Sequence, residues 1–197
     1  EENFKLARSA VERFHTEVST DVLLNEKGMD DLRKKLLEAA KEYNEKFLQA
    51  RADDKELQRE VGRSTYRLAQ ITADLDSNKK AIELHLRALP IFNAIPAAKG
   101  GADLKYDQAL CLHHLGRIYR LDGQLDKSQE YYTKARDSWT QLVKDHPGEN
   151  RFKEGLARTQ MGLGNAYQVA RDMDKAREYY EKSTAGWKAL ADANPNS

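Results

Sequence analysis

Residues 115–139 read LGRIYRLDGQLDKSQEYYTKARDSW, and similar stretches occupy residues 68–92 and 163–187. Each copy opens with Leu followed by Ala or Gly, and each ends with a large aromatic residue: Phe92, Trp139 or Trp187. Between these ends, a small residue, a large ring and a second small residue recur at fixed spacing, as in Ser128, Tyr132 and Ala135. The copies begin 47 and 48 residues apart. A constant period of this length is the signature of a repeat architecture.

Each repeat unit is predicted to form two antiparallel helices. Apolar residues fall at helical spacing on both sides of a short loop, and Gly123 in one such loop allows a helix to end in a left-handed residue. Small residues such as Gly116 and Ala135 let the two helix backbones approach closely. A single hairpin cannot bury its apolar face, so neighbouring hairpins must stack. We therefore expect an all-α, right-handed superhelical stack of antiparallel helix hairpins with about eight helices.

The repeat period predicts a single solenoid over residues 1–197. We expect an N-terminal capping hairpin at 1–52, followed by repeats at 53–99, 100–147 and 148–197. Residues 30–52 align with the second helix of a repeat when Phe47 is placed on Leu142, which puts Leu37 and Ala40 on Tyr132 and Ala135. The partner helix would span residues 3–19, whose apolar stripe comprises Phe4, Ala7, Val11, Phe14 and Val18. Alternatively, this stripe is a coiled-coil seam that continues upstream or pairs with a second copy in a homodimer.

Pro90 lies in the predicted second helix of the first repeat, where the equivalent residues are Asp137 and Ala185. Proline removes a backbone donor and clashes with the preceding turn, so we expect a kink there. Pro96 and Gly100-Gly101 are then expected to end this helix.

Composition excludes several classes of function. The chain has 33 basic and 32 acidic residues, and this balance argues against nucleic acid as a partner. The single cysteine excludes an internal disulfide and any multi-cysteine metal site. No apolar run approaches the ~20 residues of a membrane span, so we expect no membrane insertion by this fragment. The first residue is Glu1 and no signal peptide follows, so we expect a piece of a longer or processed protein.

The sequence carries no catalytic or cofactor-binding signature. It contains no phosphate-binding GxxxxGK, no His-Glu-x-x-His and no GxSxG, so we expect neither an enzyme nor a cofactor. The run Cys111-Leu112-His113-His114 suggests a metal site, but adjacent histidines point about 100° apart on a helix and cannot share one ion. We therefore place Cys111 in the core and His113 on the inner face of the stack, and we expect no metal.

The first helix of each hairpin is expected to line the concave side of the stack. The residues exposed there at helical spacing are Arg59, Arg63, Tyr66 and Gln70, then Tyr106, Leu110, His113, Arg117 and Arg120, then Glu154, Arg158, Met161, Asn165 and Gln168. This stripe contains five arginines and one glutamate. Arginine binds carboxylates bidentately, so the stripe predicts a groove for an acidic or carboxylate-ended segment of another protein. The alternative is an ordinary solvated surface.

The pattern of Leu-Gly, then Tyr119 or Tyr167, then a small residue, a ring, a small residue and a terminal proline resembles the tetratricopeptide repeat. This resemblance implies an α-solenoid that binds proteins. The usual period is ~34 residues, and the longer period here implies a deeper groove. Chaperone-binding members of the family clamp a carboxylate with Lys and Asn at set groove positions. Here those positions carry Tyr66, Gln70 and His114, which argues against a heat-shock-chaperone tail as the ligand.

Residues 3–19, 23–25 and 28–37 are similar to the region that follows the kinase domain in planctomycete-type bacterial serine/threonine protein kinases. The resemblance implies a parent chain with an N-terminal kinase, often with a membrane span just upstream of Glu1. This module would then be a soluble sensing or docking region on the far side of the membrane from the kinase. Otherwise we expect a cytoplasmic free-standing adaptor, or a sensor for a small ligand or short peptide. The sequence itself contains no HRD or DFG motif.

Overall fold

The computed structural model describes residues 30–51, 54 and 57–193, and all regular structure in this part of the chain is helical. In chain order the helices are α1 (Asp30–Arg51), α2 (Gln58–Leu75), α3 (Asn78–Asn93), α4 (Ala97–Leu121), α5 (Leu125–Asp145), α6 (Asn150–Val169) and α7 (Met173–Ala193). The predicted partner helix at residues 3–19, and with it the predicted homodimer contact, lies outside the described residues. No helix in the described ranges is both long enough and apolar enough to cross a membrane.

The helices pair into three antiparallel hairpins, which stack in chain order. Helix α2 packs on α3, α4 on α5 and α6 on α7, while α3 and α5 each also contact the first helix of the next hairpin. Helix α1 packs on α2 through Leu37 and Ala40, which are buried together with Phe47 as the alignment predicted. The predicted all-α stack of hairpins is therefore confirmed.

Tyr132 shows how small residues hold successive hairpins together. A Cβ atom built on Gly116, in the same hairpin, would lie 2.6 Å from Cγ of the Tyr132 ring. A Cβ atom on Gly162, in the next hairpin, would lie 2.5 Å from Cε1 of the same ring. Both distances are too short for a real contact, so only glycine allows the ring to lie between the two hairpins. In the third hairpin Gly164 of the Leu-Gly motif approaches the Tyr180 ring in the same way, whereas the first hairpin carries Ala69 at this position.

The turns within the second and third hairpins have the same backbone geometry. In the first of them, Gly123 has φ 77° and the Gln124 N–H donates to the Tyr119 carbonyl. In the second, Arg171 has φ 62° and the Asp172 N–H donates to the Tyr167 carbonyl. This arrangement satisfies carbonyls that the end of an α-helix leaves without partners. The left-handed glycine predicted at residue 123 is confirmed.

The junction between α3 and α4 differs from the prediction. Helix α3 ends at Asn93, and Pro96 precedes the first residue of α4. Gly100 and Gly101 do not end α3, because both lie inside α4, where Gly101 departs from helical torsion angles with φ 54° and ψ −152°. Helix α3 includes Pro90 and continues past it, and the kink expected there stays a prediction.

Candidate functional site

The predicted groove residues lie on α2, α4 and α6, which are the first helices of the three hairpins. Neighbouring first helices contact each other, α2 with α4 and α4 with α6, and no pair of second helices in the described residues does so to the same extent. This arrangement places the first helices on the inner side of the stack. The partly or fully exposed members of the predicted set are Arg59, Arg63, Tyr66, Gln70, Tyr106, Leu110, Arg117, Arg120, Glu154, Arg158, Met161, Asn165 and Gln168.

Two of the five predicted groove arginines already bind a carboxylate of the protein. Oδ2 of Asp107 on α4 accepts hydrogen bonds from Nε of Arg59 at 2.8 Å and Nε of Arg63 at 2.9 Å, both on α2. The Asp107 side chain is only 7% exposed. Arg59 and Arg63 therefore compensate a buried charge between two helices, and they do not present free guanidinium groups to a ligand.

Sequence reasoning missed Asp107, although the repeat period contains a signal for it. Arg59 and Asp107 are 48 residues apart, and so are Arg151 and Asp103, whose side chains lie 2.8 Å apart. Both ion pairs join one hairpin to the next at the repeat spacing. An arginine and an aspartate one period apart, in either order, are therefore a pairing that a repeat alignment could have identified.

Arg117 on α4 and Arg158 on α6 differ from the α2 arginines. Both are exposed, and neither makes an ion pair with any residue that the structure describes. They lie on adjacent first helices, and both influence the same two histidines, His113 and His114, electrostatically. Arg117 and Arg158 are thus the exposed arginines of the predicted set, and no carboxylate in the described residues compensates them.

His113 is buried, at 8% exposure, although the sequence placed it in the groove. Its Nδ1 lies 2.9 Å from the Thr159 hydroxyl, which donates its own hydrogen to the Gly155 carbonyl at 2.7 Å. Thr159 therefore accepts, and Nδ1 of His113 carries the proton. Burial, followed by repulsion from Arg158 and Arg117, lowers the pKa of His113 to about 3, so the ring is neutral at pH 7.

His114 lies closer to the exposed part of the inner face, where its Nε2 is 3.2 Å from Nε2 of Gln70 on α2. The amide nitrogen of Gln70 can only donate, so Nε2 of His114 accepts and the ring is neutral. Burial holds the pKa of His114 well below its usual range, and His113, His85 and both arginines add to this effect. The Tyr66 ring packs edge-on against His114 at 5.4 Å between centroids. Tyr66, Gln70 and His114, three predicted groove positions, thus form one cluster across α2 and α4.

Three further predicted groove residues lie beside the hydroxyl group of a tyrosine in their own hairpin. The Tyr180 hydroxyl lies 2.8 Å from Oδ1 of Asn165 and 2.7 Å from Oε1 of Gln168. Arg120 occupies the position equivalent to Gln168, and its charge acts on the hydroxyl of Tyr132. These side chains orient the rings of α5 and α7, and this role limits their freedom to bind a partner.

A narrow crevice between α4 and α6 is lined by residues that include Tyr106, Leu110, His113 and Arg158. Its volume is about 50 Å³, far below the ~300–1,000 Å³ of typical small-molecule sites. Among the described residues, no group of three or more His, Cys, Asp and Glu side chains could hold a metal ion. Cys111 is fully buried as predicted, with Sγ 3.7 Å from Nδ1 of His85, and burial raises the pKa of its thiol.

Two tetratricopeptide-repeat family models match the chain, one over residues 108–148 and the other over residues 157–185. The chain contains a tetratricopeptide-repeat (TPR) region. The two matches fall on the α4–α5 and α6–α7 hairpins of this TPR region, which carry Arg117 and Arg158. No curated protein is a significant match to the chain. Among solved structures, the crystal structure of BtubC (BKLC) from P. vanneervenii is 17% identical with a TM-score of 0.35, and the match covers 85% of this chain and 86% of that chain.

Proposed function

We propose that this TPR region binds an extended acidic segment of another protein along its first helices, with Arg117 and Arg158 as the charged anchors. The TPR repeats themselves indicate a protein–protein interaction module. The observation that carries the finer proposal is that these two exposed arginines lie on adjacent helices without an acidic partner among the described residues.

The surroundings of the two arginines favour an anionic ligand. His113 and His114 are neutral at pH 7, so Arg117 and Arg158 carry the positive charge at this place on the inner face. A carboxylate that binds Arg117 or Arg158 would gain charge-assisted hydrogen bonds, which are about twice as strong as neutral ones. Asp107 compensates Arg59 and Arg63, so the proposed binding surface centres on α4 and α6 and not on α2.

Fluorescence anisotropy tests this proposal with a labelled peptide of alternating Glu and Ser that ends in a free carboxylate. We expect Arg117→Ala/Arg158→Ala to weaken binding by about tenfold or more, equivalent to ~1.4 kcal/mol. The control is Arg87→Ala/Lys144→Ala, which removes two exposed charges from second helices and should leave affinity unchanged. Equal loss in both variants, or equal binding of a Gln-Ser peptide with an amidated end, would show nonspecific attraction and reject the proposal.

The proposal extends to the longer protein of which this TPR region would be a part. The similarity of residues 3–19, 23–25 and 28–37 to the region after bacterial serine/threonine kinase domains supports a regulatory or docking module of such a kinase. All-helical TPR folds are typically non-catalytic, so catalysis would reside elsewhere in the parent. The sequence upstream of Glu1 decides this point, because a kinase domain there supports the kinase assignment and another domain favours an adaptor. A small-ligand sensor that uses the inner face has less support, because the crevice there is only about 50 Å³.

A further inference from the structure

One side of α7, the last described helix, has no other described helix packed against it. Trp187 on this side is 37% exposed, whereas Trp139 at the equivalent position of α5 is completely buried. Tyr180 is also partly exposed, whereas Tyr132 at the equivalent position is buried. The same pair of a Tyr and a Trp therefore occurs on both helices, and it is buried on α5 but solvent-accessible on α7.

Helix α5 carries the equivalent two rings, and the helix that packs on them shows which side chains can cover a Tyr and a Trp at this spacing. Helix α6 places Gly162 on the Tyr132 ring and Gly155 on the Trp139 ring, where added Cβ atoms would lie 2.5 Å and 2.7 Å from ring atoms. The two glycines are seven residues apart, which is two helical turns, so both face the same way. Two small residues at this spacing are thus the feature by which one helix of this protein covers a Tyr and a Trp on another.

The charges on the open side of α7 restrict the occupant further. An open groove on this side is lined by residues that include Met173, Arg177, Glu181, Thr184 and Lys188. Arg177 and Lys188 form no ion pair with any residue of the described part, and Glu181 is the only acid among the residues that line the groove. The groove therefore carries a net positive charge, and an occupant with acidic side chains is favoured.

We propose that this side of α7 binds an amphipathic helix of another protein, which carries small residues at two positions seven apart and acidic residues towards Arg177 and Lys188. The small residues would seat on Tyr180 and Trp187 as Gly162 and Gly155 seat on Tyr132 and Trp139. This surface adjoins the inner face at Gln168, but it includes neither Arg117 nor Arg158.

A second copy of the chain fits this surface poorly. Two α7 helices face to face would bring ring against ring, and Arg177 and Lys188 of each copy would add to a surface that is already positive. The one glycine of α7, Gly186, is already packed against Ala157 within its own hairpin, where an added Cβ would lie 3.1 Å from the Ala157 Cβ. Helix α7 thus lacks the small pair that its own rings require.

The test uses a labelled synthetic peptide of residues 149–170 with Arg151→Glu, Lys153→Glu and Arg158→Glu, which supplies the Gly155 and Gly162 pair on an acidic helix. We expect saturable binding to the 197-residue protein by fluorescence anisotropy. In the Trp139→Phe variant, where Trp187 is the only tryptophan, we expect a blue shift of emission on binding. A peptide with Gly155→Leu and Gly162→Leu should bind at least tenfold more weakly. If neither peptide binds, or if both bind equally, the proposal is wrong.

Two variants locate the surface. Thr184→Arg places a large charged side chain in the open groove and should abolish peptide binding, whereas Ala189→Arg lies on another exposed side of α7 and should leave it intact. Circular dichroism confirms that both variants fold. Sedimentation of the free protein identifies the competing occupant: a dimer that Thr184→Arg converts to a monomer would assign the surface to a second copy and overturn the proposal.

Discussion

Arg171 occupies the position in the α6–α7 turn that Gly123 occupies in the α4–α5 turn, and both residues have positive φ, 62° and 77°. The two turns share their backbone hydrogen bonds, so the third repeat adopts a left-handed conformation with a residue that has a Cβ atom. For residues other than glycine, this conformation costs roughly 1–2 kcal/mol.

Arg171→Gly is therefore expected to stabilise the protein by about 0.5–1 kcal/mol, because relief of strain exceeds the entropy that glycine adds to the unfolded chain. Urea unfolding followed by circular dichroism measures the change. Gly123→Ala should destabilise by a similar amount, since it introduces the same strain into the other turn. No gain in the first variant would show that Arg171 is unstrained.

Gly116→Ala is expected to destabilise the protein by about 1–3 kcal/mol. The added Cβ would lie 2.6 Å from the buried Tyr132 ring, which Gly162 holds from its other side. The matched control is Gly148→Ala, because a Cβ there meets nothing within 4 Å, and its effect should stay within about 0.5 kcal/mol. Equal unfolding free energies for the two variants would mean that the ring can move aside.

Asp107→Asn is expected to lower stability by about 1–3 kcal/mol, below the usual cost of breaking a fully buried pair because Arg59 and Arg63 remain partly exposed. The same change removes the carboxylate that Arg59 and Arg63 share, so the affinity for the Glu-Ser peptide should rise. Chemical unfolding and fluorescence anisotropy measure the two effects on one sample. Lower affinity would contradict the view that Asp107 withholds these arginines from a ligand.

Stability is expected to fall as the pH is lowered from 6.5 towards 3. Burial lowers the pKa of both His85 and His113 to about 3, from an ordinary value of 6.5. Below pH 6.5 the unfolded chain therefore binds protons that the folded chain does not, and each histidine costs about 2 kcal/mol at pH 5. Above pH 6.5 this cost vanishes.

Urea unfolding at pH 7.5 and pH 5 measures this effect. His113→Gln preserves an N–H donor for Thr159 and removes the titration, so its loss of stability over this range should be smaller than that of the wild-type protein by about 2 kcal/mol. Carboxylates with lowered pKa values, such as Asp76 and Asp103, act below this range and do not interfere. An unchanged loss would show that His113 is not protected from protonation.

The hairpins could be predicted from the sequence because the same pattern occurs in three copies. The ring at Tyr132, the small residues around it and the turn at Gly123 each recur at one period, so errors in any single helix were corrected by the others. The junction before α4 was misjudged because Gly148, one period after Gly100, lies in the turn before its helix, whereas Gly100 lies inside α4. Helical geometry is interrupted at Gly101, whose positive φ glycine adopts readily, and it resumes after this kink.

The groove was predicted less well, because a helical stripe does not specify how far each helix turns about its axis. His113 was assigned to the exposed face, but packing of α4 against α6 turns it towards Thr159. Asp107 was overlooked because it faces α2, and only the relative placement of two helices brings it to Arg59. Such pairings depend on rotations of a few tens of degrees, which hydrophobic periodicity does not determine.

The position of Tyr132 between glycines of two hairpins has a consequence for how the protein melts. The Tyr132 side chain fills space both inside the second hairpin and between the second and third hairpins. Unfolding of the second hairpin therefore also breaks its contact with the third. In a linear array, such shared residues raise the coupling between neighbours and make melting collective rather than stepwise. Tyr180 packs on a single glycine, Gly164. We therefore expect α7 to unfold first, and we expect the amide protons of α4 to exchange only when the whole protein unfolds.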